Sequence, residues 1–567
     1  MKHFKFFDWI KNYQKGYLSG DLSAGLTVGV MLIPQGMAYA MLAGLPPIYG
    51  LYAATIPLII YALLGSSPQL AVGPVAMVSL LIASGVGAIA DIGSAQFIQY
   101  AILLALMVGV IQLAMGVFRL GFLVNFLSHP VIAGFTSAAA LIIGISQMKH
   151  LLGVKIPRGD FIETLTSLIG EIGNSQPYAL MIGIGAIVLL MIFKKWKPRF
   201  PAPLLVVILG IVAVQMFNLE EQGLAIVGEV PSGLPAFSIP SFDMGAIESL
   251  LPIAFAISFV GFLESIAVAK AVQKKHKDYE VIANQELVAL GAANVLGSFF
   301  QSFSVTGGFS RTAVNDKAGA KSGLASIISA ALVILTLLFF TSYFKNLPSA
   351  ILASIIIVAV AGLVDIKEAR FLWKNDRQDF VLFMITALAT LFFGVEPGIL
   401  TGVILSIGLM VFRVSYPHYA ILGRVPGTKE YRNIERFENL EVNDDILILR
   451  FDGRMYFGNS EAFRKIVTDN IQNRPNVKNI LIDASSINGL DSSAVHMLHD
   501  LNSDLKDKGI MLCFSNVKGP VRDTMTKNKI LTEENYTRFF LSVYDAVSSL
   551  CGDDNPEYKK YVTQVEA

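Results

Sequence analysis

Few residues in the long apolar stretches of this chain could do chemistry, and two of them carry charge. Glu264 lies within IAFAISFVGFLESI (253–266), six residues before Lys270. An ionisable side chain in such a run costs at least about 2.5 kcal/mol on insertion scales, so it must face water or the protein interior. Burial favours the protonated carboxyl, which suits Glu264 to carry a proton. A plainer arrangement also fits, in which Glu264 snorkels and pairs with Lys270. Arg311 closes the stretch SVTGGFSR (304–311). Gly307 and Gly308 let a ligand approach the backbone, and a helix opening there aims free N–H groups and a positive dipole end at an anion. Ser310 adds a hydroxyl, and Arg311 adds a cation. The alternative is an interfacial kink with Arg311 reaching lipid headgroups. A second interrupted segment, QLAVGPVA (69–76), leads through Val75 and Ala76 into another apolar helix, with Pro74 suited to its first position. In PQGMAYA (34–40), Gln35 and Tyr39 are i,i+4 neighbours that can line one face. Pro34 should break or kink that helix, and Gly25 and Gly29 mark close helix packing.

The elements that must position these residues follow from composition. Of 567 residues, 54% are hydrophobic and only 15% charged, with a mean hydropathy of +0.58. A wholly soluble enzyme and a disordered chain are both excluded. Charge is uneven: 421–567 holds 19 Lys+Arg and 22 Asp+Glu, 28% of its positions, against 11% before it. The chain is a membrane body followed by a soluble domain. Apolar segments fall near 21–40, 48–64, 70–89, 97–118, 124–147, 178–193 and 203–218, then near 247–271, 285–300, 305–317, 322–342, 347–363, 379–394 and 397–414. Seven precede and seven follow the Pro- and Gly-rich 223–243, although 285–300 and 305–317 are too short to cross alone. With the N-terminus in the cytoplasm, the basic runs 194–199 and 274–277, Arg119, Lys317, Lys321 and the mixed run 367–377 fall inside. Glu220, Glu221, Glu229, Asp243 and Glu396 fall outside, and the loop with Lys149, Lys155 and Arg158 is the exception. Both termini are then cytoplasmic. An odd number of spans per half inverts the second half, and the paired interrupted segments, third in each half, are where such repeats build a site.

Other chemistry is sparse. Cys513 and Cys551 form no CxxC and lie in the soluble part. Near-neutral charge gives no nucleic-acid partner. His496 and His499 lack a third ligand, so no metal site is expected, and 318–322 lacks the glycines of a phosphate loop. No enzyme activity and no cofactor are expected. Lys2, Lys5, Lys11 and Lys15 before an apolar run, with Ala38-Tyr39-Ala40, imitate a signal peptide. The apolar Leu42–Leu64 that follows favours a retained first span. In the tail, 446–451, 480–483 and 511–514 read as buried strands, with helices at 461–471 and 494–506. That alternation predicts a small α/β domain. Ser492 or Ser493 is expected as the N-cap of the second helix.

PQGMAYAMLAGLPPIYGLY, VGPVAMVSLL, FLESIAVAK and TGGFSRTAVNDKAGAKSG resemble the sulfate permease (SulP) family of anion transporters, over about 18–550. Asp483-x7-Asp491-Ser492-Ser493-Ala494 resembles the STAS domain of anti-sigma-factor antagonists, whose second hydroxyl is phosphorylated, here Ser493. The resemblance implies a polytopic α-helical membrane protein with 14 transmembrane segments in a 7+7 inverted repeat of core and gate domains. It further implies elevator-type alternating access and a homodimer in the inner membrane. Carried over by position, Gln35, Tyr39, Val75, Ala76, Phe309, Ser310 and Arg311 line the anion site. Glu264 takes the coupling position, where Glu resembles proton-coupled relatives and Asp resembles sodium-coupled bicarbonate carriers. The expected layout is a cytoplasmic segment at 1–20 and a transporter domain at 21–418, with repeats at about 21–218 and 247–414. A cytoplasmic STAS domain at 425–550 and a tail at 551–567 follow. The expected partners are a small anion, a proton, the bilayer and a cytosolic regulator of the STAS domain. Sulfate uptake by proton symport is the expected activity. A bicarbonate or dicarboxylate carrier, an uncoupled exchanger or channel, and a membrane-tethered signalling protein are the alternatives.

Overall fold

Proline and glycine punctuate several of the membrane-type helices. Proline stands in the first turn of the helices that begin at Pro47, Ile56, His129 and Ala202, where its missing N–H is not needed. Gly153, at φ 68°, closes the helix ending at Leu152 in the left-handed region. The structure, a computed structural model, describes residues 6–122, 128–157, 160–196, 200–276, 278–532 and 537–551. Lys2, Lys5, Arg158, 197–199, Lys277, the start of the segment expected at 124–147, and 552–567 of the expected tail lie outside the described residues. The chain divides into two compact units, 1–406 and 407–567.

In chain order, the first unit opens with α1 (Asp8–Lys11), α2 (Leu18–Leu42), α3 (Pro47–Tyr52), α4 (Ile56–Leu64), β1 (Val72–Gly73) and α5 (Ala76–Gly87). Then come α6 (Ala95–Val117), α7 (His129–Leu152), α8 (Phe161–Glu171), α9 (Pro177–Trp196) and α10 (Ala202–Phe217). The second half holds α11 (Met244–Gln273), α12 (Ala283–Ser298), β2 (Thr306–Gly307), α13 (Phe309–Ala318), α14 (Leu324–Phe339), α15 (Ser349–Val360), α16 (Ile366–Asn375), α17 (Arg377–Phe393) and α18 (Val395–Ser415). Helices stand at each expected apolar segment, with α3 and α4 sharing one. Among the described residues, eight stretches are long and apolar enough to cross a membrane by length and composition, while Ala76–Gly87, Ala202–Phe217 and Leu324–Phe339 are shorter apolar helices. Two amphipathic helices, α8 and α16, were not foreseen.

Two expectations about α2 meet different ends. A Cβ on Gly25 would lie 2.6 Å from Ile328, and one on Gly29 3.1 Å from the Ser329 backbone, so this pair does seat α2 against α14. Pro34, however, leaves the helix unbroken. It is buried on a helix packed on most sides, and in that setting neighbouring helices tolerate a backbone carbonyl without its N–H partner. α14 is fastened at its start by Asp21, whose carboxylate accepts the N–H groups of Lys321 at 2.7 Å and Ser322 at 3.0 Å.

The second unit is built on a sheet of order β4-β3-β5-β6-β7-β8. Its strands are β3 (Tyr419–Arg424), β4 (Tyr431–Asn433), β5 (Ile446–Phe451), β6 (Asn479–Asp483), β7 (Met511–Ser515) and β8 (Phe539–Phe540). β5 to β8 are parallel, and β3 is antiparallel to β4 and β5. The helices are α19 (Ser460–Gln472), α20 (Ser492–Asp507), α21 (Gly519–Lys527) and α22 (Val543–Leu550). Parallel strands buried on both faces read as unbroken apolar runs. Leu447, Leu449 and Phe451 pack with Phe463, Leu498 and Val521 on one side, and Ile446 and Ile448 pack with Val543 and Ala546 on the other.

Candidate functional site

The two interrupted segments come together. β1 pairs antiparallel with β2, Val72 opposite Gly307 and Gly73 opposite Thr306. Each strand runs almost directly into a short helix, so the starts of α5 and α13 lie beside one another. Val75 is the N-cap of α5 and Ala76 its first residue. Pro74 therefore stands two residues ahead of the helix rather than in its first turn. The extra residue leaves its carbonyl free to accept from Arg311 Nη1, at 2.6 Å. Gly308 is the N-cap of α13, so Phe309, Ser310 and Arg311 occupy positions N1 to N3. Neither cap residue offers a side-chain acceptor to the helix N–H groups.

Arg311 is 2% exposed. With Nη1 on Pro74, its Nε and Nη2 are buried and have no partner among the described residues. The guanidinium lies against two glycines: a Cβ on Gly308 would stand 2.8 Å from Nη2, and one on Gly73 3.4 Å from it. Gly73 has φ +153° and a side chain there would be strained in any case. Buried donors without acceptors are rare and costly. Nε and Nη2 together form the flat fork that fits two oxygens of one oxyanion.

Tyr39 of α2 and Glu264 of α11 lie within electrostatic reach of Arg311 and of each other. Glu264 is half-buried. It makes neither a hydrogen bond nor an ion pair to Lys270 or to any other described residue, and Lys270 is exposed. Other buried carboxylates in this unit are saturated. Glu286, in the first turn of α12, accepts from Tyr61 Oη, Ser66 N and Ser66 Oγ at 2.7 Å each, and Asp21 is held as described above. Gln35 is buried one turn before Tyr39. Val75 and Ala76 are buried, whereas Phe309 is 61% exposed and Ser310 is exposed. Phe309 thus stands clear of the packed interior, and the Ser310 hydroxyl has no partner among the described residues.

A buried polar scaffold, which the sequence reading missed, holds β2 from behind. The Asn294 amide accepts from Val305 N at 2.8 Å and donates to Val305 O at 3.1 Å, so a side chain takes the place of a neighbouring strand. It also donates to Gln112 Oε1 at 3.1 Å, and Gln112 donates to the Ser258 carbonyl at 3.2 Å. Ser265, the residue after Glu264, accepts from Gly307 N at 2.8 Å and shares a hydrogen bond with Thr306 Oγ1 at 2.6 Å. Across the pair, Thr312 Oγ1 accepts from Ala71 N and Asn315 donates to the Gln69 carbonyl.

Residues 18–386 match the sulfate permease family and residues 439–546 the STAS domain. The chain belongs to the sulfate permease family. Among its relatives in this family, Sulfate transporter 4.1, chloroplastic, of Arabidopsis thaliana is 42% identical over 96% of this chain and 82% of its own length. A probable sulfate transporter of Mycobacterium tuberculosis is 33% identical over 95% of this chain and 96% of its own length. The murine Slc26a9 anion transporter, solved in an inward-facing state, has a TM-score of 0.88 at 26% identity, covering 96% of this chain and 93% of that one. The transmembrane domain of a cyanobacterial bicarbonate transporter, BicA, shares the fold at TM-score 0.60 and 24% identity, over 70% of this chain and 98% of its own. The protein is a multi-pass membrane anion transporter with a C-terminal STAS domain, and its relatives' transport activity points away from an enzyme.

Within the STAS domain of this family member, the expected cap on α20 is corrected. The N-cap is Asp491, not Ser492 or Ser493: its carboxylate accepts from Ala494 N at 2.8 Å and from Phe457 N at 2.9 Å. Each carboxylate oxygen takes one of the two donors, Oδ1 the Ala494 N–H and Oδ2 the Phe457 N–H. Ser493 is left half-buried in the first turn. His499 meets the Asn528 carbonyl rather than a ligand set with His496.

Proposed function

We propose that the chain imports sulfate together with protons, and that the anion binds between the starts of α5 and α13. One observation carries this reading: Arg311 keeps two buried, unpartnered donors beside two helix N-termini, within reach of a carboxyl that nothing else holds. The Nε–Nη2 fork suits an oxyanion more than a spherical halide. Val75, Ala76, Phe309 and Ser310 surround the helix starts, and Gln35 and Tyr39 close the site from α2. Protonation of Glu264 offsets negative charge as the dianion enters. The similarity to sulfate transporters supports the same substrate.

The wider frame belongs to this proposal. Fourteen segments form a 7+7 inverted repeat at about 21–218 and 247–414, and a core carrying the site moves against a gate, elevator-fashion. The transporter domain spans 21–418 between a cytoplasmic 1–20 and a STAS domain at 425–550, with both termini cytoplasmic and two copies pairing in the inner membrane. Ser493 is a phosphorylation candidate through which a cytosolic regulator acts.

Sulfate uptake into proteoliposomes should accelerate with an inward proton gradient, and Glu264→Gln should remove that dependence while sulfate exchange persists. Uptake indifferent to both would overturn the coupling. Bicarbonate is the second reading, favoured by the fold shared with BicA. Competition of labelled sulfate with bicarbonate, chloride, oxalate and fumarate separates the two.

A further inference from the structure

Two amphipathic helices occupy matching places in the two halves, and their charges are opposite. α8 links α7 to α9, and α16 links α15 to α17. The stretch 160–172 around α8 carries Asp160, Glu163 and Glu171 and no Lys or Arg. Within its own bounds α16 carries Lys367, Arg370 and Lys374 against Glu368, net +2 where α8 is net −2, with Asp365 and Asp376 at its ends and Arg377 just beyond. The seating of α16 uses only one side of it. Leu372 is buried with Ala133 and Phe383, Glu368 accepts from or pairs with His129 Nδ1 at 3.1 Å, and Asp365 N donates to Ser137 Oγ at 3.1 Å.

The other side is open and mixed in character. Ile366 is 58%, Phe371 58% and Trp373 59% exposed. At about 100° per residue, Trp373, Ile366, Arg370, Lys374, Lys367 and Phe371 follow one another around that free arc. Lys367, Arg370 and Lys374 have no acidic partner among the described residues. Arg377 stacks over the Trp373 ring at 6.0 Å, and that ring meets Phe380 edge-on at 4.9 Å. Apolar helices flank α16 in the chain, α15 before it and α17 after it, an arrangement that suits a helix lying where the bilayer meets water. Tryptophan and long cations are the side chains that belong there.

We propose that this free face of α16 docks on the membrane leaflet at its end of the protein and binds anionic phospholipid headgroups. The basic arc supplies the charge complement, and Trp373 and Ile366 enter the acyl boundary. The acidic α8 has no such complement, which fits a leaflet poor in anionic lipid on the opposite side.

The test uses the full-length protein in phosphatidylcholine vesicles in which brominated phosphatidylglycerol or brominated phosphatidylcholine replaces the same minor fraction of lipid. Bromine quenches nearby tryptophan, and the difference between the native protein and Trp373→Phe isolates Trp373 from Trp9 and Trp196. The brominated anionic lipid should quench Trp373 about twofold or more over the brominated zwitterionic one, because basic residues near an anionic surface enrich such lipid. High salt should erase the difference. Arg370→Gln with Lys374→Gln, both exposed positions, should also erase it while leaving the zwitterionic quenching. Equal quenching by both lipids in the native protein overturns the headgroup claim. Quenching by neither means protein covers this face and overturns the docking itself.

Discussion

Arg311 and Glu264 were legible because a charge in apolar text has few uses. The Arg311 partner was not: Nη1 is spent on a carbonyl 237 residues earlier, which no spacing reveals. The free fork makes a specific demand. Arg311→Lys keeps the charge but not the flat pair of donors. At about 1.5–3 kcal/mol per hydrogen bond to a charged group, the sulfate KM should rise roughly 10- to 100-fold, read by uptake assays at equal protein abundance. Gly308→Ala should act in the same direction, since its Cβ would stand 2.8 Å from Nη2 and push the guanidinium off the site. A KM unchanged by either substitution would move the anion elsewhere. Glu286 and Asp21 were missed, although an acid in the first turn of a helix is a recognisable signal. Both are saturated by donors, and that separates them from Glu264.

At the scale of elements, the helices were legible from hydropathy, whereas the clamp behind β2 was not. Asn294 and Gln112 are neutral, 182 residues apart, and could each have been incidental in an apolar helix. Asn294→Asp keeps the acceptor for Val305 N and loses the donor to Val305 O and Gln112. The expected result is a sulfate KM raised several-fold as the pose of the α13 start is loosened, with some loss of thermal stability because the new buried carboxyl oxygen faces two acceptors. Asn294→Leu, which leaves both Val305 groups unpaired at about 1–3 kcal/mol each, should lower thermal stability as well. A stability loss in both variants without a KM change would make the residue merely structural. Close packing gives a sharper case in α2 and α3: a Cβ on Gly50 would lie within 1.9 Å of the Gly36 carbonyl. Gly50→Ala should therefore cut the yield of folded protein by size exclusion far more than Gly144→Ala, where nothing lies within 4 Å.

At the scale of the molecule, charge density located the soluble part, and β5 to β7 were read within a residue or so of their observed bounds. β4 and β8, of 3 and 2 residues, carry too little pattern to read alone, and β3 is an edge-side partner whose pairing is non-local. The two thiols report on this unit. Cys551 is exposed and Cys513 buried, and burial pushes the Cys513 thiol up from 9.0 to about 11. A thiol reagent should modify Cys551 at once and Cys513 only on unfolding. Because the folded state holds the Cys513 proton more tightly, its contribution to stability is full below pH 9.0 and is lost as pH rises towards about 11. The urea concentration that exposes Cys513 should fall across that window. Equal, immediate labelling of both thiols would contradict the observed core.

The paired helix starts have a consequence for how such a chain can arise. Position N3 is Arg311 in α13 and Val78 in α5. Two identical halves joined through β1 and β2 would present either two cations at this junction or none. A single cation beside both helix starts makes the two segments unlike at that position. The junction thus behaves like the contact between unlike subunits, carried within one polypeptide. Exchanging the two residues, Val78→Arg with Arg311→Val, asks whether a cation on α5 can stand in for the one on α13.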